Sequence, residues 1–371
     1  MGDNVSFTDI HVDDAIVDRV EDVLRSGRYV KGPQVEAFED EFAAACGCEH
    51  AAAVSSGTAA LSLSLRAAGV QAGSQVFVPG HTFFATASAV LDSGGRPVFV
   101  DIDPETYTID PVDLERKVEA AERPDAVVPV HIYGAMADMK AVRAIAEAHG
   151  LRIVEDACQA HFASRGGRTA GTVGDAGAFS FYPSKNMTVA GDGGMVVTDD
   201  DGIATRVREL RNHGRDETGI HRELGVNDRL SEIQAAVGRQ QLEHVRTWNE
   251  ERAEAARRYT SRLRDLEPVT TPTEPAESTH VYHLYVIQVP RADRDPLRSH
   301  LADAGIETGI HYPTPAHEQP AVTERVGETT LDRTERLCDR IVSLPMHPRL
   351  EAADVDRVCD AIEAYFEEKE G

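Results

Sequence analysis

Seven short apolar runs alternate with helix-patterned stretches between Ala51 and Asp199, and this alternation restricts the possible folds more than any other feature of the chain. The runs are 51–54 (AAAV), 75–79 (QVFVP), 97–101 (PVFVD), 126–131 (AVVPVH), 151–155 (LRIVE), 177–181 (GAFSF) and 194–198 (GMVVT). Helices fit between most of them, at 58–68, 82–92, 111–120 and 138–149. Strands that alternate with crossover helices build a parallel sheet covered on both faces. The last two runs leave no room for a crossover helix. The expectation is therefore an α/β domain whose seven-stranded sheet is mostly parallel but mixed.

Beyond this region, 228–263 is helical in pattern, with Ile233, Ala236, Val237 and Leu242 on one stripe. Residues 264–280, rich in Pro, Thr and Glu, read as a connection. A strand (281–289), a helix (295–304), a strand (306–311) and a final helix (352–366) then suggest a smaller α+β unit. The N-terminal segment 1–45 carries two amphipathic stretches. A chain of 371 residues suits one large and one small domain. The expected division is 1–248 for the N-terminal segment with the large domain and 249–371 for the small C-terminal domain.

The net charge is −25, spread along the chain, which repels nucleic acid and anionic membranes. No stretch approaches the roughly 18–20 uncharged apolar residues of a membrane span. Residues 1–14 lack the basic start and apolar run of a secretory signal. These features predict a soluble cytoplasmic protein without nucleic-acid or membrane partners. An acidic, lysine-poor surface further fits a halophilic cytoplasm, where salt screens the charge. Five scattered cysteines argue against a disulfide framework, and the pair Cys46 and Cys48 lacks a second pair at zinc spacing. No metal site is expected.

Only five lysines occur, at 31, 117, 140, 185 and 369. Four lie in polar or helical contexts that suit solvated surface. Lys185 instead lies in FSFYPSKN, Phe179 to Asn186, where an apolar surrounding lowers an ammonium pKa and makes a usable nucleophile. A snorkelling or salt-bridged lysine is the plainer reading. Asp156, in IVEDACQ, falls just past a predicted parallel strand, where α/β sheets place ligand sites. It could hold a pyridine nitrogen protonated or merely cap the next turn. Gln159, three residues on, could reach a neighbouring ring oxygen. In VSSGTAA, the N–H groups of Gly57 and Thr58 with the Ser56 and Thr58 hydroxyls make a phosphate cradle or an ordinary N-cap. HTFF, His81 to Phe84, offers an aromatic face to a flat ring, or simply packs in the core. Together these elements specify a phosphate cradle, an aromatic plate, a ring-nitrogen carboxylate and a lysine, a set that few chemistries other than pyridoxal phosphate (PLP) require.

The ordered motifs GPQVEAF from Gly32, SSGTAAL from Ser55, PGHTFFAT from Pro79, VHIYG from Val130, EDACQAH from Glu155 and FSFYPSKN from Phe179 continue with His213 and Gly214, SEIQAA from Ser231, HYP from His311 and SLPM from Ser343. In this series the chain resembles the DegT/DnrJ/StrS sugar aminotransferases of the fold-type-I PLP superfamily over nearly its whole length. The resemblance implies that Lys185 forms the Schiff base with PLP and shuttles protons, that Asp156 binds the pyridine nitrogen and that Gln159 binds the phenolic oxygen. It implies phosphate contacts from Gly57, Thr58 and Ser180, and stacking by Phe83. It further implies a homodimer with shared active sites, in which Asn227 reaches the partner's phosphate, and it places His311 and Tyr312 near the substrate. Asp192, Asp228 and Phe162 depart from the usual Glu, aromatic and Gly, with the pocket wall or dimer contact as the expected consequence of the last two.

The implied reaction moves an amino group from L-glutamate or L-glutamine to a nucleotide-linked keto-sugar, as in amino-sugar or glycan biosynthesis. Two rivals share the resemblance: a PLP-dependent sugar dehydratase and a non-catalytic regulatory relative. A dehydrating branch carries His at the lysine position, so Lys185 argues against it. The intact set of Lys185, Asp156 and Gln159 argues against lost catalysis.

Overall fold

The computed structural model describes residues 4–370, and all seven apolar runs contribute strands to one sheet. In chain order these are β1 (His50–Val54), β2 (Gln75–Pro79), β3 (Arg96–Val100), β4 (Pro124–Val127), β5 (Arg152–Asp156), β6 (Ala176–Ser180) and β7 (Gly194–Thr198). Across the sheet the order is β1-β7-β6-β5-β4-β2-β3. β7 runs antiparallel to both neighbours, and every other pairing is parallel. The reversal falls where the sequence leaves no room for a crossover. The fourth run ends early: past Val127 the pairing loosens to a single bridge of Val130 with Asp156. Pro129 has no N–H for a ladder, and its carbonyl accepts the Asp156 N–H at 2.9 Å.

Helices α1 (Asp14–Ser26), α2 (Pro33–Cys46), α3 (Gly57–Ala67), α4 (Phe84–Asp92), α5 (Pro111–Glu119), α6 (Met139–His149), α7 (Asp201–Leu210) and α8 (Glu232–Leu263) surround the sheet. Side chains alternate across the strands with a period of two. Phe77, Ile153 and Phe179 enter one layer with Phe38 of α2 and Val142 of α6. Val76, Val78, Val154 and Ala178 enter the other with Leu61, Leu63 and Leu65 of α3 and Val90 of α4. Asp13, Ser56, Asp110, Asp138, Asp200 and Ser231 stand at N-caps, each side chain accepting a first-turn N–H. α2 begins after Gly32, which has no side chain to offer. Its open N–H groups are taken over by the buried Glu232 carboxylate, which accepts from Gly32, Gln34 and Val35 at 2.9, 2.9 and 3.0 Å.

α8 links two cores. Its first half gives Ala235 and Val245 to the sheet layer, and its second half gives Ala255, Ala256, Tyr259 and Leu263 to a separate cluster. That cluster is completed by the antiparallel strands β8 (Tyr285–Gln288) and β9 (Ile341–Leu344), by α9 (Arg291–Asp303) and by a final helix, Ala352–Glu370. The expected strand at 306–311 does not form. Ile306 bridges Val5 and Gly309 bridges Ser343, each singly. The run is too confined for a ladder, between a left-handed turn at Gly305 (φ 74°) and Pro313, which lacks an N–H. Among the described residues no helix is long and apolar enough to cross a membrane.

Candidate active site

The C-terminal ends of the parallel strands bring the expected residues to one side of the sheet, as open α/β folds do. β1 leads through Ser56 into α3, β2 is followed by Thr82 and Phe83, β5 ends on Asp156 and β6 on Ser180. Gly57, Thr58, Phe83, Asp156, Gln159, Ser180, Lys185, His311 and Tyr312 all line one cavity of about 340 Å³. Asn227 does not line it. It is exposed on the segment between α7 and α8, where it forms an antiparallel bridge with Asn212.

Lys185 sits on the turn after β6, its N–H donating to the Tyr182 carbonyl at 2.8 Å. The next residue anchors the turn: Asn186 Nδ2 donates to Asn249 Oδ1 at 2.7 Å and to the Val281 carbonyl at 2.8 Å. Burial pushes the Lys185 ammonium below the ordinary lysine value, against the opposing pull of Cys158 and Asp156. Such a lysine is easier to deprotonate and so a better nucleophile. Lys117 corrects the expectation that the other lysines are solvated. It is half-buried, donating to the Phe99 carbonyl at 2.5 Å and pairing with Asp113 at 3.0 Å.

Asp156 combines both roles considered for it. Its Oδ1 accepts the Cys158 N–H at 3.2 Å, as a turn cap would, and its Oδ2 accepts the Thr86 hydroxyl at 2.8 Å. The carboxylate is thus held from two sides at the cavity wall. Gln159 is oriented by Tyr133, whose backbone N–H donates to Oε1 at 2.8 Å. That bond leaves Nε2 as a donor toward the cavity, where it meets the Tyr312 hydroxyl at 3.0 Å.

The start of α3 forms the cradle. The Ser56 hydroxyl is occupied as an N-cap, accepting the Ala59 N–H at 3.1 Å. Thr58 is exposed at the helix start. A Cβ at Gly57 would lie 2.6 Å from Ser180 Cβ. Glycine alone therefore lets the helix N-terminus close on the end of β6. The result is a concavity of backbone N–H groups and hydroxyls that suits a phosphate. Phe83 borders the same cavity, its ring 5.6 Å from that of Tyr312. An anion cradle, a planar aromatic, an amide donor, an anchored carboxylate and a lysine of lowered basicity fit the phosphate, ring, phenolic oxygen, pyridine nitrogen and aldehyde of PLP.

Beneath Asp156, Glu155 is fully buried. It accepts from His131 at 2.8 Å and from the N–H groups of Gly171, Val173 and Gly174 at 3.0, 2.6 and 2.7 Å. Burial pushes its carboxyl pKa up, but the His131 hydrogen bond and the amides outweigh this and hold it below 4.5. Its contribution to stability is then present above the ordinary carboxyl value and is lost as pH falls through the depressed one. Glu155→Ala leaves these donors unmet. It is expected to cost about 3–5 kcal/mol, read as a lowered urea midpoint at neutral pH that converges on the parent's in acid.

The three departures separate. Asp192 lines the cavity, and its carbonyl accepts from Gln234 Nε2 at 2.5 Å. Asp228 accepts the Ser55 hydroxyl at 2.9 Å. Phe162, expected in the pocket wall or dimer contact, is buried in the sheet core 5.6 Å from Phe42, with Arg246 over its ring at 4.8 Å. Its φ of 64° explains why glycine is usual there. Thr86, Tyr133, Phe7, Thr8 and His283 were not singled out from the sequence. Tyr133 and Thr86 lie in or beside quoted motifs, whereas nothing in the sequence marks Phe7 or Thr8 as cavity lining.

The DegT/DnrJ/EryC1/StrS aminotransferase family model matches residues 11–363. The chain belongs to this family. A dTDP-3-amino-3,4,6-trideoxy-alpha-D-glucose transaminase of Streptomyces venezuelae is 44% identical over 346 residues, covering 93% of this chain and 90% of that protein. A pleiotropic regulatory protein of Geobacillus stearothermophilus is 40% identical over 351 residues, covering 94% and 93%. The crystal structure of S. venezuelae DesV in complex with a ketimine intermediate superposes with a TM-score of 0.94 at 42% identity, covering 98% of this chain and 99% of that one. The protein is a PLP-dependent sugar aminotransferase, with the family's α/β fold.

Proposed function

We propose that this enzyme transfers an amino group from L-glutamate or L-glutamine to a nucleotide-linked keto-sugar, with Lys185 as covalent anchor and proton carrier. The convergence of Lys185, Asp156 and Gln159 on one cavity carries the reading, and the dTDP-sugar relative supports the acceptor class. When bound, PLP supplies a carbonyl carbon that can carry nitrogen and a ring that withdraws electrons. Asp156, fixed by Thr86 and Cys158, holds a proton at the ring nitrogen. Gln159 Nε2, free to donate because Oε1 accepts the Tyr133 N–H, would hold the phenolic oxygen. The N–H groups at Gly57 and Thr58, with Ser180, bind the phosphate, and Phe83 covers a ring face. Lys185 Nζ, once free, takes a proton from one carbon and returns it to another. His311 and Tyr312 border the space left for the sugar.

The test is a pair of half-reactions. Incubation with glutamate or glutamine should release the corresponding keto acid stoichiometrically, and a nucleotide keto-sugar should then leave aminated. Loss of water from the sugar without release of keto acid would establish the dehydratase instead. Inertness toward every donor would favour a regulatory relative.

We further propose a homodimer in which Asn227, exposed in one chain, completes the partner's phosphate site, and a cytoplasm of high salt that screens the −25 charge. The change of core along α8 supports a domain division after residue 248. Mixing Lys185→Ala with Asn227→Ala subunits tests the shared site. A trans-acting Asn227 leaves one site of each mixed dimer free of lesions, so activity should rise toward half the parent level per mixed dimer. No recovery in verified mixed dimers would assign Asn227 to its own chain.

A further inference from the structure

Arg252, on α8, is 4% exposed, and among the described residues it has no acidic partner. Its Nη1 donates to the carbonyls of Tyr282, His283 and Met346 at 3.2, 3.4 and 2.9 Å, while its Nε has no partner. Burial lowers its pKa to about 10, so the guanidinium stays charged at neutral pH. Burying an unpaired cation is costly, and an apolar side chain would avoid that cost. The three carbonyls join two segments of the chain. One holds Tyr282 and His283, and the other holds Met346, just past β9.

His283 reaches the cavity that Lys185 lines. It is 6% exposed, and its Nδ1 has no partner. Lys185 faces it from the turn after β6, Arg252 from α8, His311 from the segment after Gly309 and His161 from the turn after β5. Burial first, and then the charges of Lys185 and Arg252, hold its imidazole well below the ordinary histidine value. Burial and Lys185 likewise lower His161 to about 3 and His311 to about 4. The carboxylates in the cavity lining, Asp156 and Asp192, are not among the leading influences on His283.

We propose that Arg252 is a positioning residue, clamping the carbonyls of Tyr282, His283 and Met346 so that the His283 imidazole stands in the cavity wall as an uncharged hydrogen-bonding group beside Lys185. An imidazolium there would repel the Lys185 ammonium and compete for the proton that Lys185 carries. A neutral ring offers the free lysine amine an acceptor instead. The proposal rests on Lys185 as proton carrier, but its first test does not depend on turnover. Histidine C2-hydrogen exchange, read by mass spectrometry on the PLP-loaded enzyme, should show no inflection for His283 between about pH 5 and 8. An inflection in that range overturns the proposal, and this measurement decides even if the variants fail to fold.

Two substitutions test the clamp. Arg252→Met removes every donor to the three carbonyls, whereas Arg252→Lys keeps a charged donor for them. In Arg252→Met, release of the His283 segment should admit water and give His283 an inflection inside the window, and kcat should fall several-fold from pH 8 to pH 6 relative to the parent. Arg252→Lys should restore the parent's profile, and adding His283→Asn to Arg252→Met should remove the new acidic limb. An unchanged His283 exchange curve in Arg252→Met, or an acidic limb that survives His283→Asn, refutes the role.

Discussion

Lys185→Ala should fold, retain PLP without a covalent link and turn over an amino donor at least about 10³-fold more slowly than the parent. The fold is spared because the turn after β6 is held by its neighbour: Asn186 bonds to Asn249 and to the Val281 carbonyl. Cofactor contacts are spared because the cradle at Gly57, the Asp156 carboxylate and the Gln159 amide are positioned by residues other than Lys185. What disappears is the amine that bonds the cofactor and carries the proton. Borohydride reduction of the parent followed by peptide mass spectrometry should place a pyridoxyl group on Lys185. A pyridoxyl group on Lys31, Lys117, Lys140 or Lys369, or a variant that turns over at the parent rate, would remove Lys185 from the chemistry.

Asp156→Asn should keep PLP and lose about a hundredfold in rate, about 2.7 kcal/mol of barrier. The substitution preserves shape, and the local hydrogen bonds can adjust. An Asn Oδ1 can still accept the Cys158 N–H, and its Nδ2 can donate to Thr86, whose hydroxyl can turn toward Thr82 at 2.7 Å. The lost element is the negative charge that keeps a proton on the ring nitrogen. A rate within about threefold of the parent, under 1 kcal/mol, would reduce Asp156 to the turn cap it also is.

Much of this architecture is legible in the sequence because it rests on local patterns. The seven strands show as apolar runs, and the antiparallel β7 shows as a missing crossover. The cavity residues at strand ends follow from the same reading, since strand polarity places them together. Tertiary effects were less legible. Pro129 cuts one predicted strand short and the Gly305 turn prevents another, and Lys117 looked solvated because the Phe99 carbonyl, unlike Asp113 one turn away, becomes its neighbour only in the fold. Phe162 was expected in the pocket wall or dimer contact. Its positive φ turns the ring into the core instead. The cavity contribution of Phe7 and Thr8 depends on Val5 pairing with Ile306, a contact far too distant in sequence for periodicity to signal.

The carboxylate of Glu232 beneath α2 bears on the order of assembly during synthesis. Its three acceptor bonds join residues separated by 197, 198 and 200 positions. A ribosome delivers the N-terminus first, at roughly 5–20 residues per second. The start of α2 therefore waits on the order of ten to forty seconds for its capping group. Until then its first-turn N–H groups can be met only by water, and the apolar face bearing Phe38 and Phe42 has no cover until the strands between residues 50 and 198 have emerged. For much of that interval the apolar face of α2 is exposed, a state in which chaperone binding or self-association would compete with folding.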